Sequence, residues 1–182
     1  MNSGVGKAPL FDQLVRYLVS DYLVPVAALM VLLGLWFAGN SSAERMRIQI
    51  GIFVALVAMG FSSLAVYTVN AFYYRPRPFL THDVDLLFYR PTDASFPSNP
   101  VAVTFAIAVG VWFINRRLGL ALMAVVVAYA LARVYSGVHY PLDVVASMAI
   151  GTAVALAVLW AERLVRPILK AAIRLARLFC VA

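Results

Sequence analysis

Polar residues cut this chain into apolar runs of roughly membrane-spanning length. The stretches Tyr22 to Gly39, Ile48 to Tyr73, Pro100 to Asn115, Leu118 to Gly137 and Pro141 to Glu162 predict about five transmembrane helices and no strand. The fold class expected is all-α, a polytopic membrane helical bundle. Ahead of the first run, Leu10 to Asp21 mixes apolar and charged positions, the pattern of a helix lying at the membrane interface. The third run is short. At 1.5 Å per residue it covers roughly 24 Å, less than a hydrocarbon core of roughly 30 Å, so its beginning is expected inside a protein-lined recess.

The polar breaks are as informative as the runs. One long connection, Tyr74 to Asn99, holds three arginines, three aspartates and one of the two histidines. Long connections in compact proteins are usually functional or disordered, and the apolar content at Phe79, Leu80, Leu86, Leu87, Phe88 and Tyr89 argues for a packed one. After the last run, residues 163–182 carry Arg163, Arg166, Lys170, Arg174 and Arg177 with Leu and Ile between them. This reads as a basic amphipathic tail resting on anionic lipid headgroups.

Composition sharpens the class. Of 182 residues, 64% are hydrophobic and 13% charged, against about 25% charged in soluble domains. A single domain is expected over residues 1–182: an interfacial segment to residue 21, a transmembrane core over 22–162 and the tail beyond. The net charge of +7 sits beside apolar spans, where it sets orientation and meets headgroups, so no nucleic-acid partner is expected. Cys180 is the lone cysteine, which excludes an intrachain disulfide or a cysteine metal cluster. The charged residues of 1–21 leave no cleavable signal peptide pattern, and the first span is expected to act as its own insertion signal. Arg45, Arg47, Arg116, Arg117 and the basic tail share one face. By the positive-inside rule that face is cytoplasmic, with the long connection outside in a multi-pass cell-membrane protein.

The ionisable residues at membrane depth gather on the other face. Arg75 and Arg77 end span two, Ser98 and Asn99 begin span three, Arg133 lies near the end of span four, and His139 and Asp143 begin span five. Burying such groups is costly unless they are paired or used. Pro141 suits a first helical turn, which puts Asp143 in that turn and His139 just outside it. There a carboxylate either accepts a hydrogen bond from one ring nitrogen, leaving the other free for chemistry, or merely complements the helix N-terminus. A turn through Ser136 and Gly137 brings Arg133 toward His139. Its guanidinium suits bidentate phosphate binding or interfacial anchoring. Arg75 and Arg77, each followed by proline, present two more guanidinium groups or form a plain juxtamembrane charge run. Pro97-Ser98-Asn99-Pro100 reads as a helix start capped by Asn99, and helix starts also hold phosphate.

Together these pieces resemble the three-part signature of the type 2 phosphatidic acid phosphatase superfamily. Its first part, lysine, six residues and Arg-Pro, is matched by Asn70, six residues and Arg77-Pro78. The second, Pro-Ser-Gly-His, is matched by Pro97-Ser98-Asn99-Pro100. The third, Ser-Arg, five residues, His, three residues and Asp, is matched by Ala132-Arg133, His139 and Asp143. The runs "RPRPF", "SFPS" and "GVHYPLDV" look like the bacterial undecaprenyl-diphosphatase branch connected with bacitracin resistance.

The resemblance implies that His139 is the nucleophile, forming a phosphohistidine, and that Asp143 orients it. Arg77, Arg133, Ser98 and Asn99 would hold the phosphoryl oxygens, with no metal or other cofactor. The substrate it implies is a membrane lipid phosphate or diphosphate. Two positions depart from the signature. Asn70 replaces the lysine, and Arg75 is a candidate substitute. Pro100 replaces the histidine that would protonate the leaving group, and His82 is a second auxiliary candidate if the long connection folds over the pocket. A diphosphate substrate suits the loss of that acid. The alternatives are a lipid phosphate monoesterase and a relative that binds lipid phosphate without cleaving it.

Overall fold

The computed structural model describes Asn2 and residues 4–178. Among these, every regular element is a helix: α1 Pro9–Leu18, α2 Leu23–Trp36, α3 Ser42–Phe72, the single-turn α4 Pro78–Thr81, α5 Asn99–Ile114, α6 Arg116–Tyr135 and α7 Pro141–Leu178. Their ends follow from local chemistry. Ser41 caps α3, its Oγ accepting from Glu44 N at 3.2 Å, while Glu44 reaches back to Asn40 N at 3.0 Å. This reciprocal arrangement satisfies amides that the helix itself leaves unpaired. Asn115 alone separates α5 from α6, and its Oδ1 accepts from Arg117 N and Leu118 N. So short a joint makes the two helices antiparallel neighbours.

Helix α5 is the centre of the bundle, packed against α3, α6 and α7. It is rich in small residues, and Val101, Ala102, Thr104 and the whole run Ala106 to Val111 are buried. Because protein rather than lipid surrounds it, α5 need not span a bilayer. Its N-terminal end starts in a recess, as its length predicts: Ser98 is buried and its backbone N–H donates to Ser147 Oγ of α7 at 2.7 Å. Close approach of α5 and α7 depends on Gly151. A Cβ there would lie 2.5 Å from the carbonyl oxygen of Ala102, well inside contact distance. These contacts gather the C-terminal ends of α3 and α6 and the N-terminal ends of α5 and α7 at one end of the bundle.

The helices overlie all five apolar runs, but their lengths differ from the expectation. Among the described residues, only α3, α6 and the Pro141–Leu164 part of α7 are long and apolar enough to span a membrane. A fourth span is reached if α1 and α2, bent by 56° at their break, count together. Helix α2 has 14 residues and α5 has 16, each short of the roughly 20 that a span takes. Helix α1 is amphipathic as predicted, with Leu10, Phe11, Leu14 and Tyr17 exposed and Asp12 and Val15 buried. The tail does not begin as a separate segment at Arg163. Instead α7 runs on through Pro167, whose missing N–H costs one backbone bond while Glu162 and Arg166 pair across the same turn at 2.8 and 3.0 Å. Cys180 lies outside the described residues.

The long connection is packed. Phe79, Leu86, Leu87 and Phe88 are half-buried, and Pro91, Ala94, Ser95 and Pro97 are buried, whereas Leu80 and Tyr89 stay exposed. Asn2 pins its middle, donating to the carbonyls of Asp85 at 2.6 Å and Tyr135 at 3.2 Å and accepting from Asp85 N at 3.2 Å.

Candidate active site

His139 owes its place to a turn. After α6, Gly137 takes a φ of 77°, in the left-handed region that favours glycine. The N–H groups of Val138 and His139 then fold back onto the carbonyl of Arg133 at 3.1 and 3.4 Å. The imidazole ends up buried between three elements. Its Nδ1 lies 2.8 Å from the carbonyl oxygen of Ser95, which can only accept, so Nδ1 carries the hydrogen. Nε2 therefore carries the lone pair. It faces Arg77 Nη1 and Arg133 Nη2, each at 3.3 Å. Burial, and then the positive charges of Arg133 and Arg77, hold the imidazole pKa well below its ordinary value. At neutral pH His139 is uncharged, with an unprotonated nitrogen between two cations.

Asp143 stands behind the ring rather than on it. Its nearer oxygen is 3.9 Å from Nδ1, beyond hydrogen-bond reach, and the Ser95 carbonyl takes the bond that the sequence reading gave to the carboxylate. The carboxylate is fully buried and saturated: Oδ1 accepts from Arg75 Nη1 at 2.6 Å, and Oδ2 from Ser95 Oγ at 2.6 Å and Tyr140 N at 3.0 Å. Ser95 thus links the two, its hydroxyl on Asp143 and its carbonyl on His139. Its own N–H is fixed to the carbonyl of Arg75 at 2.9 Å.

The two arginines are held from outside the signature. Arg77 Nε and Nη2 reach the Asp93 carbonyl at 3.0 Å and its carboxylate at 2.8 Å, and Nη1 also donates to the carbonyl of Val138 at 3.2 Å. Burial lowers the pKa of Arg77, and Asp93 opposes that shift. Arg133 Nη1 donates to Asp21 at 2.6 Å, to Tyr129 OH at 2.8 Å and to the Val19 carbonyl at 3.3 Å. Tyr89 OH donates to the other oxygen of Asp21 at 2.5 Å. That bond, with burial second, pushes the phenol up to about 12, so it remains a donor at neutral pH.

Arg77, Arg133 and His139 line one pocket of about 330 Å³, together with Asp21, Tyr89, Asp93, Asn99 and Pro100. Two buried donors nearby, Arg133 Nε and Ser98 Oγ, have no hydrogen-bond partner within the described protein, and such groups are expensive to leave unmet. A tetrahedral oxyanion supplies acceptors of the kind they lack. Ser98, not Asn99, is the N-cap of α5, and it makes no side-chain capping bond. Its hydroxyl is therefore free for another partner.

Three predicted residues lie elsewhere. Arg75 does not line the pocket. It is drawn to Asp143 and lies over the Tyr140 ring at 4.1 Å, because a fully buried carboxylate needs a counter-charge. Asn70 is half-buried near the end of α3, its Oδ1 without a partner within the described residues. His82 is exposed and engages Thr81 Oγ1 at 2.8 Å and the edge of Tyr140, with no contact to the pocket. Sequence reasoning missed Asp21, Tyr89, Asp93, Ser95 and Tyr129. Ser95 alone left a trace, as the first letter of the "SFPS" run.

Fold and site together define a class: a multi-pass helical membrane protein with a buried histidine and two arginines on one pocket at the end of the bundle. The chain belongs to the PAP2 superfamily, whose family model matches residues 51–166. It is similar to the undecaprenyl-diphosphatase BcrC of Bacillus subtilis strain 168, with 29% identity over 158 residues, 86% of this chain and 78% of that protein. A protein of Escherichia coli strain K12, provisionally named as the undecaprenyl-diphosphatase YbjG, is 32% identical over 155 residues, 83% of this chain and 73% of that one. The crystal structure of LpxE from Aquifex aeolicus aligns with a TM-score of 0.61 and 26% identity, covering 82% of this chain and 84% of that one.

Proposed function

We propose that this chain is a lipid diphosphate phosphatase that cleaves a polyprenyl diphosphate, undecaprenyl diphosphate foremost, to the monophosphate through a phosphohistidine on His139. The observation that carries the reading is the imidazole itself: neutral, with Nδ1 fixed on the Ser95 carbonyl and Nε2 turned to two guanidinium groups. In the first step Nε2 attacks the terminal phosphorus and the bond to the bridging oxygen breaks. The lipid monophosphate leaves with that electron pair. Arg77, Arg133 and Ser98 hold the equatorial oxygens, where charge is to be stabilised. Because Nδ1 keeps its hydrogen, the phosphorylated ring is cationic, and Asp143 at 3.9 Å stabilises it. Water then attacks phosphorus, the P–N bond breaks, and inorganic phosphate carries away the water's proton as His139 returns to its neutral form.

The absent acid at Pro100 selects the substrate. An alkoxide leaving group has a conjugate acid with a pKa near 16, and losing its proton donor would cost about 100- to 10,000-fold. A phosphate monoester, with a second pKa of about 6, leaves as an anion without help. Guanidinium groups supply the positive charge, so the proposed reaction takes no metal. The positive-inside pattern supports a site on the extracytoplasmic face.

The test is phosphate release by purified protein from lipid diphosphates and lipid monophosphates, with chelator present. Release from the diphosphate, preferred at least about ten-fold and abolished in His139→Ala, is the expected result. Full activity in His139→Ala overturns the assignment. Tight lipid binding with neither turnover nor a trappable phosphohistidine identifies a binding protein instead, the reading that Asn70 and Pro100 favour.

A further inference from the structure

A large cavity with charged residues in its wall lies at the other end of the bundle from His139. Helices α3, α5 and α7 diverge there around about 660 Å³, a volume within the range of small-molecule and lipid sites. Most of its wall is apolar, including Met46, Ile50, Phe113 and Leu159, while Ser42, Arg47, Glu162 and Arg166 supply polar groups. It is thus an amphiphilic cavity, its wall combining apolar and cationic side chains.

The charges do not cancel. Glu162 is buried, and both its oxygens are taken by Nε and Nη2 of Arg166 at 2.8 and 3.0 Å. That pairing engages both carboxylate oxygens and leaves Nη1 of Arg166 without a partner among the described residues. Arg47 has no ion pair or hydrogen bond from its side chain within the described residues. With one carboxylate against two guanidinium groups, the cavity carries a net positive charge. Basic pockets between membrane helices take anionic lipid headgroups.

We propose that this cavity is a binding site for one anionic phospholipid, distinct from the catalytic pocket and independent of the reaction assigned to it. The headgroup phosphate sits on Arg47 and on Nη1 of Arg166, and an acyl chain follows the wall formed by Met46, Ile50, Phe113 and Leu159. Glu162 acts as the positioning residue, holding Arg166 against the opening. Charge complementarity favours this occupant over a second copy of the chain, which would bring the same uncompensated arginines to the contact.

Native mass spectrometry of the detergent-purified full chain tests this, with phosphatidylglycerol and phosphatidylcholine of identical acyl chains as probes. One phosphatidylglycerol should be retained, about ten-fold more tightly than phosphatidylcholine. Arg47→Gln, at an exposed position remote from His139, should remove most of that preference without lowering phosphate release from a soluble diphosphate. Leu159→Trp, which fills the apolar side, should weaken retention of both lipids. The proposal is overturned by equal retention of the two lipids or by an undiminished preference in Arg47→Gln. It is equally overturned if the preference disappears only when Lys170, Arg174 and Arg177 are neutralised, or if a dimer forms that Leu159→Trp abolishes.

Discussion

Asp143→Asn separates two ways in which the carboxylate behind His139 can act. The substitution keeps shape and removes one negative charge from a fully buried position 3.9 Å from Nδ1. If the carboxylate stabilises the cationic ring formed on phosphorylation, its worth is the Coulomb energy of that pair, about 4 kcal/mol at this distance for an effective dielectric of about 20. Each 1.36 kcal/mol is ten-fold in rate, so phosphohistidine formation should slow by about 1,000-fold. If the carboxylate serves only to aim the ring, it works through Ser95. Ser95→Ala should then be as damaging as Asp143→Asn. Charge stabilisation predicts otherwise: the alanine variant keeps both the carbonyl on Nδ1 and the charge, and should lose about ten-fold, the value of one hydrogen bond to a charged group. Single-turnover trapping of the phosphoenzyme, with substrate saturating, measures the step directly. Thermal unfolding must accompany it, since Arg75 loses its partner; at 29% side-chain exposure that loss should be about 1–3 kcal/mol, well below the full cost of breaking a buried pair. Equal losses in the two variants, or less than a ten-fold loss in Asp143→Asn, would refute the electrostatic account.

Other outcomes follow from the same geometry. The depressed pKa of His139 keeps the ring neutral in the folded protein at pH 6, observable by NMR of 15N-histidine-labelled protein; titration near 6.5 would contradict its surroundings. Its linkage sign is that of a group protonated more easily when unfolded. The contribution to stability is complete above the unfolded value of about 6.5 and is lost as pH falls from there through the folded value, so His139→Ala should flatten the acid side of a stability profile. Asp21→Asn should destabilise the empty protein by about 1–3 kcal/mol, after discounting for its partial exposure. That deficit should shrink in saturating orthovanadate, because the anion takes the carboxylate's place on Arg133; an unchanged deficit would mean the two do not compete. Gly151→Ala forces a Cβ to within 2.5 Å of the Ala102 carbonyl and so pushes α7 off α5. It should lower thermal stability and activity together, and normal values for both would show that the helices separate at little cost.

Much of this arrangement was legible in the sequence. Apolar runs of the right length located all five large helices, because burial in lipid or protein demands continuous hydrophobicity. Arg77, Arg133 and His139 were identified because each interrupts or ends such a run. Asp21, Asp93 and Tyr89 carried no such signal, since they sit in irregular segments where a charge is unremarkable and only the three-dimensional path reveals its partner. Arg75 was misplaced for a related reason: spacing reports nearness along the chain, and the pull of a fully buried Asp143 outweighed it. The shortness of α5 was visible, and with it a start inside a protein-lined recess; its place at the centre of the bundle was not. That α7 passes Pro167 without a break was not, because one missing donor is too small a penalty to end a helix of 38 residues.

The carboxylates that hold the two arginines have a consequence for turnover. With Asp21 on Arg133 and Asp93 on Arg77, the pocket resembles a loaded ion exchanger more than a bare cationic trap. An incoming anion gains only the difference between its own contacts and those it replaces. More highly charged guests should win that exchange by the widest margin, and inorganic phosphate, small and without a tail, by the narrowest. Under the proposed reaction, these two carboxylates would speed release of the product and guard against a long-lived dead-end complex.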